Sequence, residues 1–152
     1  IIDAHPVLDT CIEAVAKECS NSRVIVMGRS LGSHPAAELA GRRSEELAGL
    51  IICSGFATLE HRWETLRGVV EPAVLEPTVT AHFEKLESIS MPTLILHGQW
   101  DNLVPPSAAH GFHDAISAES KTLVLIPRAG HNDVMFMKPE LYFGSIGRFL
   151  GT

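Results

Sequence analysis

Four short apolar segments rich in β-branched residues alternate with segments of helical periodicity along this chain. The apolar segments are 24–27, 50–53, 93–97 and 122–126, and the helical segments are 6–19, 31–40, 107–116 and 139–150. A short continuous apolar run is typical of a strand buried on both faces of a parallel sheet. Strands that alternate with helices predict an α/β fold with right-handed connections. We therefore expect functional residues at the carboxyl ends of the strands.

Composition and charge exclude several classes of protein. The chain has 152 residues, 45% of them hydrophobic and 20% charged, as in a globular domain rather than a disordered or fibrous chain. Twelve basic residues against eighteen acidic ones give a net charge of −6, so we expect no nucleic-acid partner. No apolar run approaches the ~18 residues of a membrane-spanning helix. Three cysteines without metal-ligand spacing favour a cytoplasmic protein, although a targeting region ahead of Ile1 is compatible with this sequence.

The first apolar segment runs directly into a G-x-S-x-G pattern, Gly28-Arg29-Ser30-Leu31-Gly32. Between a strand and a helix, this pattern presents a serine hydroxyl at the edge of the sheet. Both glycines are expected where the turn leaves no room for a β-carbon. The amide groups at the start of the helix favour a developing oxyanion. A serine here is also a common helix N-cap, so the strand–helix context, not the pattern alone, favours a nucleophile.

Two further polar residues, Asp101 and His131, follow the third and fourth predicted strands. A serine needs an imidazole to accept its proton, and the imidazole needs a carboxylate to fix its tautomer. Ser30, Asp101 and His131 are therefore predicted to form a catalytic triad. The alternatives are a turn role for Asp101 and a backbone-bound loop role for His131. Asp114 and Asp133 are weaker rivals for the acid.

Several other residues have weaker support as site residues. Arg29 is equally compatible with a contact to substrate and with capping of nearby carbonyl groups. Phe56 and Trp100 are candidates for substrate-pocket walls, but packing roles fit them as well. His97 is expected to order a turn through hydrogen bonds. Cys53 is expected to be a small buried apolar residue rather than a nucleophile.

The three motifs together resemble the α/β-hydrolase superfamily, whose nucleophile, acid and histidine occur in this order. The segments that carry the resemblance are Gly28–Ser33 with Pro35-Ala36, His97-Gly98 with Asp101, and Gly130–Asp133. They look most like a short-lid branch that includes serine aminopeptidase-like hydrolases and protein depalmitoylases. The resemblance implies a serine hydrolase of carboxylic esters or thioesters, with an acyl or other small-molecule substrate and no metal or organic cofactor. A peptidase or amidase, or a non-catalytic binding member of the same fold, remains the alternative.

The resemblance also implies that the chain holds only part of this fold. The family's oxyanion hole takes one backbone N–H from the residue after the nucleophile, here Leu31, and another from a loop after an earlier strand. No strand precedes 24–27, which should leave that strand with an unpaired hydrophobic edge. We expect one domain over 1–152 that holds about four C-terminal strands, with a short lid at 56–90. The expected partner for the open edge is the N-terminal part of the same fold.

Overall fold

A four-stranded parallel sheet lies at the centre of the computed structural model, which describes residues 3–18, 23–55 and 84–152. The strands are β1 (Ile25–Arg29), β2 (Gly49–Cys53), β3 (Thr93–Gly98) and β4 (Lys121–Ile126). They lie side by side in chain order, and every neighbouring pair is parallel. The predicted α/β class is confirmed, and all four carboxyl ends meet at one edge of the sheet.

Helices cover both faces of this sheet. They are α1 (His5–Glu18), α2 (Ser33–Arg42), α3 (Pro106–Ala115), α4 (Val134–Met137) and α5 (Pro139–Leu150). Because side chains alternate along a strand, Leu50 and Ile52 pack with α1, α2 and α3 in one core. Ile51 and Cys53 pack on the other face with α4 and α5. The short helix α4 has no predicted counterpart, whereas the other helices match within two residues at their described ends.

The two outer strands are less buried than predicted. Every residue of β2 and of β3 is buried, as their apolar sequences indicate. In β1 only Gly28 is buried, and the Met27 side chain is 47% exposed. The expectation that this strand is buried on both faces is wrong because β1 is an edge strand, paired on one side only within the described sheet. The partly exposed β4 is the opposite edge.

The predicted lid at 56–90 lies largely outside the described residues, and Phe56 lies outside them altogether. Residues 84–87 are helical, and Leu86 and Ile89 are buried in the core beside α2 and α3. Among the described helices, none combines the length and the apolar character that crossing a membrane requires.

Candidate active site

A sharp turn at the end of β1 places Ser30 at the carboxyl edge of the sheet. Ser30 begins a single 3₁₀ turn, Ser30–Gly32, which continues into α2. Its φ of 50° lies in the left-handed region, which a residue with a β-carbon rarely adopts. The buried Ser33 hydroxyl donates a hydrogen bond to the Ser30 carbonyl oxygen at 2.6 Å. The strained turn is therefore held by a serine three residues further on, a local side chain–backbone bond typical of this residue type.

The two glycines of the motif do not have the same role. A β-carbon on Gly28 would lie 2.4 Å from the Gly32 carbonyl oxygen and 2.6 Å from the β-carbon of Ala36. A β-carbon on Gly32 would have no neighbour within 4 Å among the described residues, and its φ of −67° suits any residue. The predicted need for glycine is confirmed at position 28. At position 32 it is wrong, because no atom of the described residues would meet a β-carbon there.

This asymmetry gives a matched pair of variants. Gly28→Ala is expected to lower the free energy of unfolding by about 1–3 kcal/mol, because the new methyl group overlaps backbone that cannot move freely. Gly32→Ala is expected to leave stability unchanged within about 0.5 kcal/mol or to raise it, since alanine favours a helical backbone. Urea unfolding of both variants measures the difference. Equal destabilisation by the two alanines would contradict this account of the turn.

Ser30, His131 and Asp101 form a continuous chain of hydrogen bonds. His131 Nε2 lies 3.0 Å from Ser30 Oγ, and His131 Nδ1 lies 2.7 Å from Asp101 Oδ2. A carboxylate only accepts hydrogen bonds, so the Nδ1–H group donates to Asp101. The Nε2 lone pair then faces the serine hydroxyl, which is the tautomer that a general base requires. The structure thus brings the three predicted triad residues together.

The Asp101 carboxylate is held rigidly on its other side. Its Oδ1 accepts the backbone N–H groups of Leu103, at 3.0 Å, and Val104, at 2.8 Å. Asp101 is buried, so these amides and His131 take the place of the water that a carboxylate needs. The same side chain therefore orders the turn after β3 and contacts His131, so the two interpretations that the sequence left open for Asp101 are compatible.

His97 supports this turn from within the core. Its Nε2–H donates to the Val104 carbonyl oxygen at 2.8 Å, which confirms the predicted ordering role. Burial holds the pKa of His97 below its ordinary value, so the ring is neutral at pH 7. Its Nδ1 has no hydrogen-bond partner within the described ranges. The neutral ring leaves Asp101, 3.5 Å away, to pair with His131.

The loop that carries His131 crosses the end of the sheet to reach Ser30. β1 and β4 are opposite edges of the sheet, so their ends are three strand spacings, or about 14 Å, apart. The loop passes close over the end of β3, where a β-carbon on Gly98 would lie 2.5 Å from the Ala129 carbonyl oxygen. The Trp100 N–H also donates to that oxygen at 2.8 Å. A glycine at position 98 therefore lets the loop lie close enough for the histidine to meet the serine.

The two other candidates for the acid, Asp133 and Asp114, have different contacts in the structure. Asp133 Oδ1 accepts the Gly130 N–H at 2.6 Å and so closes the histidine loop on itself. Asp114 lies exposed on α3, where it contacts the neighbouring His113. Neither carboxylate contacts the ring of His131 in the described structure, so Asp101 is the candidate acid whose carboxylate lies against that ring.

The other predicted site residues have the following positions. Leu31 is the second residue of the 3₁₀ turn, where a backbone N–H has no acceptor within its own helix, and its side chain is 60% exposed. Trp100 is 63% exposed, so it is not a core residue, and its role in a substrate pocket stays a prediction. Arg29 donates from Nη2 to the His131 carbonyl oxygen at 2.7 Å, which favours carbonyl capping over a free contact to substrate. Cys53 is fully buried, as expected of an apolar core residue.

The sequence interpretation missed the contributions of Ser33 and Asp133 to the site. A serine three residues after Ser30, and an aspartate three residues after Gly130, are spacings at which side chains bond to local backbone. In the ranges that the structure describes, no group of three or more His, Cys, Asp or Glu residues is arranged to hold a metal ion.

The sequence and the fold of this chain are similar to those of known proteins. The sequence pattern of the serine aminopeptidase S33 family matches residues 77–135. Uncharacterized protein MT2364 of Mycobacterium tuberculosis (strain CDC 1551 / Oshkosh) is 30% identical over 135 residues, which are 85% of this chain and 45% of that protein. Alpha/beta hydrolase domain-containing protein aho-3 of Caenorhabditis elegans is 29% identical over 118 residues, 74% of this chain and 32% of that protein.

The fold has a counterpart among solved structures. A monoacylglycerol lipase from Paleococcus ferrophilus superposes with a TM-score of 0.71 over 97% of this chain and 74% of that chain, at 14% identity. The chain spans less than half the length of the two relatives above. Together with the parallel sheet and the order of the motifs, these likenesses show that the chain has the α/β-hydrolase fold.

Proposed function

We propose that this chain carries the catalytic triad of a serine hydrolase that cleaves carboxylic esters or thioesters. The observation that carries the proposal is the hydrogen-bonded series from Ser30 Oγ to His131 Nε2 and from His131 Nδ1 to Asp101 Oδ2. A nucleophile, a base and a group that orients the base stand within hydrogen-bond reach, the arrangement that acyl transfer needs.

In the first half of the reaction, Ser30 Oγ attacks the carbonyl carbon of the substrate. Its proton passes to His131 Nε2, and the C=O π electrons move onto the carbonyl oxygen. Asp101 stabilises the resulting imidazolium through the Nδ1–H hydrogen bond. The Leu31 N–H, at the start of the helix, donates to the oxyanion. When the tetrahedral intermediate collapses, the C–O or C–S bond breaks and His131 returns its proton to the alcohol or thiol.

The second half of the reaction releases the acyl group from Ser30. A water molecule gives a proton to His131 and its oxygen attacks the acyl carbon. Collapse of this second intermediate breaks the bond to Ser30 Oγ, which takes the proton back from His131. The products are a carboxylic acid and the free enzyme, and no redox step or cofactor enters this sequence.

Esters and thioesters are preferred over amides for two reasons. An alcohol or thiol leaves a tetrahedral intermediate more readily than an amine, so it depends less on protonation by His131. One solved structure with the same fold is named as a monoacylglycerol lipase, an enzyme that cleaves an ester. The name of the matched family, serine aminopeptidase, makes a peptidase the second candidate.

A second oxyanion donor is proposed to come from a strand that pairs with the free edge of β1. The exposed Met27 side chain lies on that edge strand. An apolar edge strand with an exposed side chain can pair with a further strand, and the relatives are long enough to supply one. Such a segment is the proposed partner of this chain.

Labelling by a fluorophosphonate probe tests the proposed function. We expect the probe to modify Ser30 in the folded protein and not in heat-denatured protein, as peptide mapping by mass spectrometry would show. p-Nitrophenyl esters and acyl thioesters should be turned over faster than aminoacyl p-nitroanilides. Well-folded protein that neither reacts with the probe nor hydrolyses any of these substrates would contradict the proposal.

An intact-mass measurement on the same sample tests the proposed partner. A 16.5 kDa chain without a second segment should turn over esters ~10²–10³-fold more slowly than a longer form, the usual cost of one missing oxyanion donor. Equal turnover by the two forms would reject the partner while leaving the triad in place.

A further inference from the structure

Arg29 connects the turn that carries Ser30 to the loop that carries His131. It is the last residue of β1 and the immediate neighbour of the serine. Its Nη2 donates to the His131 carbonyl oxygen at 2.7 Å and lies 3.5 Å from Asn132 Oδ1. The side chain is partly buried, and the bond joins residues 102 positions apart in sequence.

Apart from the bonds of the His131 ring to Ser30 and Asp101, the other described hydrogen bonds of the histidine loop hold it elsewhere. Asp133 closes the loop through the Gly130 N–H. The Ala129 N–H donates to the end of β4, and the Ala129 carbonyl oxygen accepts the Trp100 N–H after β3. These bonds fix the base of the loop to the far half of the sheet. They do not tie it to the 3₁₀ turn at the end of β1.

We propose that Arg29 is a positioning residue that holds the His131 backbone over the turn and so keeps the imidazole in reach of Ser30. This inference rests on the proposed hydrolase function. A guanidinium suits the role, because its N–H groups have fixed directions and a hydrogen bond from a cation is stronger than one from a neutral donor.

The contact matters most when the serine–histidine bond is absent. After acylation Ser30 Oγ carries no proton, so it can no longer donate to His131. The ring is then oriented by Asp101, and its backbone by Arg29. His131 must still accept a proton from water in the second half of the reaction. Arg29 is therefore expected to support both steps without touching the substrate.

A series of variants of the full chain tests this proposal. Arg29→Met removes the donor, Arg29→Lys keeps a cationic donor, and Arg43→Met is the matched control. Arg43 also donates to a backbone carbonyl, that of His5, but its other contacts are with Asp9 and Glu46. We expect Arg29→Met to lower kcat by roughly 10²-fold with KM nearly unchanged, because small displacements of catalytic groups have effects of this size.

The other variants should separate positioning from stability. Arg29→Lys is expected to recover part of kcat, and free guanidinium ion should partly restore an Arg29→Ala variant. Arg43→Met should lower the midpoint of thermal unfolding while the folded protein keeps its kcat. Wild-type kcat in Arg29→Met would overturn the proposal. A raised KM with an unchanged kcat would overturn it too, by placing Arg29 on the substrate.

Hydrogen exchange gives a second readout that does not depend on turnover. Amides in the peptide that covers residues 127–137 should exchange faster in Arg29→Met, with those of β3 unchanged. If the wild-type chain hydrolyses no acyl substrate, the proposed function fails, and this measurement still decides whether Arg29 holds the loop. Unchanged exchange in that peptide would overturn the anchoring role even if the enzyme is active.

Discussion

An Asp101→Asn variant is expected to lose about 10⁴ in kcat while it keeps its fold. The asparagine oxygen can still accept the Leu103 and Val104 N–H groups that Asp101 Oδ1 accepts now. The amide NH₂ group would then face His131 Nδ1, where Oδ2 lies at 2.7 Å. Two donors cannot pair, so the imidazole would move its proton to Nε2 and lose the lone pair that receives the serine proton. Ester kinetics and thermal unfolding measure the two effects separately.

The matched control is Asp133→Asn, in the histidine loop itself. An amide oxygen at position 133 can still accept the Gly130 N–H, and no imidazole tautomer depends on it. We expect its kcat to stay within about tenfold of the wild type, as for loss of a charge outside the reacting groups. Near wild-type turnover in Asp101→Asn, or a larger loss in Asp133→Asn, would show that the acid is assigned to the wrong residue.

The central strands could be predicted from the sequence because nearly all of their residues are apolar, as in strands that are buried on both faces. β2 and β3 are short apolar runs that end at Ser54-Gly55 and at Gly98, and each was predicted to within one residue of its bounds. The meeting of Ser30, Asp101 and His131 could be predicted because they follow the first, third and fourth strands, and the carboxyl ends of parallel strands meet at one edge of the sheet. Local pattern and general topology were sufficient for this part of the molecule.

The low burial of β1 could not be predicted from the pattern of the strand itself, because it depends on what lies beside the strand. Only the family resemblance led us to expect an unpaired edge there. The apolar residues of β1 resemble those of β2, yet Met27 is exposed at the edge of the described sheet. The helix α4 has four residues, too few for a helical period to be recognised. The role of Gly32 was misjudged for a related reason, since the atoms that would meet a β-carbon come from packing and not from the motif.

The contact that Arg29 makes could not be predicted from the sequence either. Its partner is the backbone of His131, on a loop that starts from the opposite edge of the sheet. Whether the two meet depends on strand order and on the path of that loop over Gly98. Local residue spacing does not reveal a hydrogen bond between a side chain and a backbone group 102 residues away. The sequence therefore supported carbonyl capping and substrate contact by Arg29 equally.

Backbone strain at the carboxyl edge is a second feature that only the structure reveals. Three residues other than glycine have positive φ in the described chain, Ser30 at 50°, Ser54 at 47° and Arg128 at 61°. Ser30 and Ser54 directly follow β1 and β2, and Arg128 lies two residues after β4. Such conformations cost about 1–3 kcal/mol each and persist where the surrounding structure enforces them. These residues lie at the same end of the sheet as Ser30, Asp101 and His131. This location fits a site in which the positions of the side chains are maintained at the expense of folding stability.

A Ser30→Ala variant and a His131→Ala variant are each expected to lose about 10⁴–10⁶ in kcat for ester hydrolysis, because nucleophile and base act as one unit. For the same reason the double variant should be no more than about tenfold slower than the worse single one. Steady-state kinetics on one p-nitrophenyl ester, with Ser107→Ala on the exposed surface of α3 as the control, measure this. If the loss of kcat in the double variant equalled the product of the two single losses, the two residues would act independently. That result would contradict a proton transfer across the 3.0 Å between Ser30 Oγ and His131 Nε2, and with it the mechanism proposed for this chain.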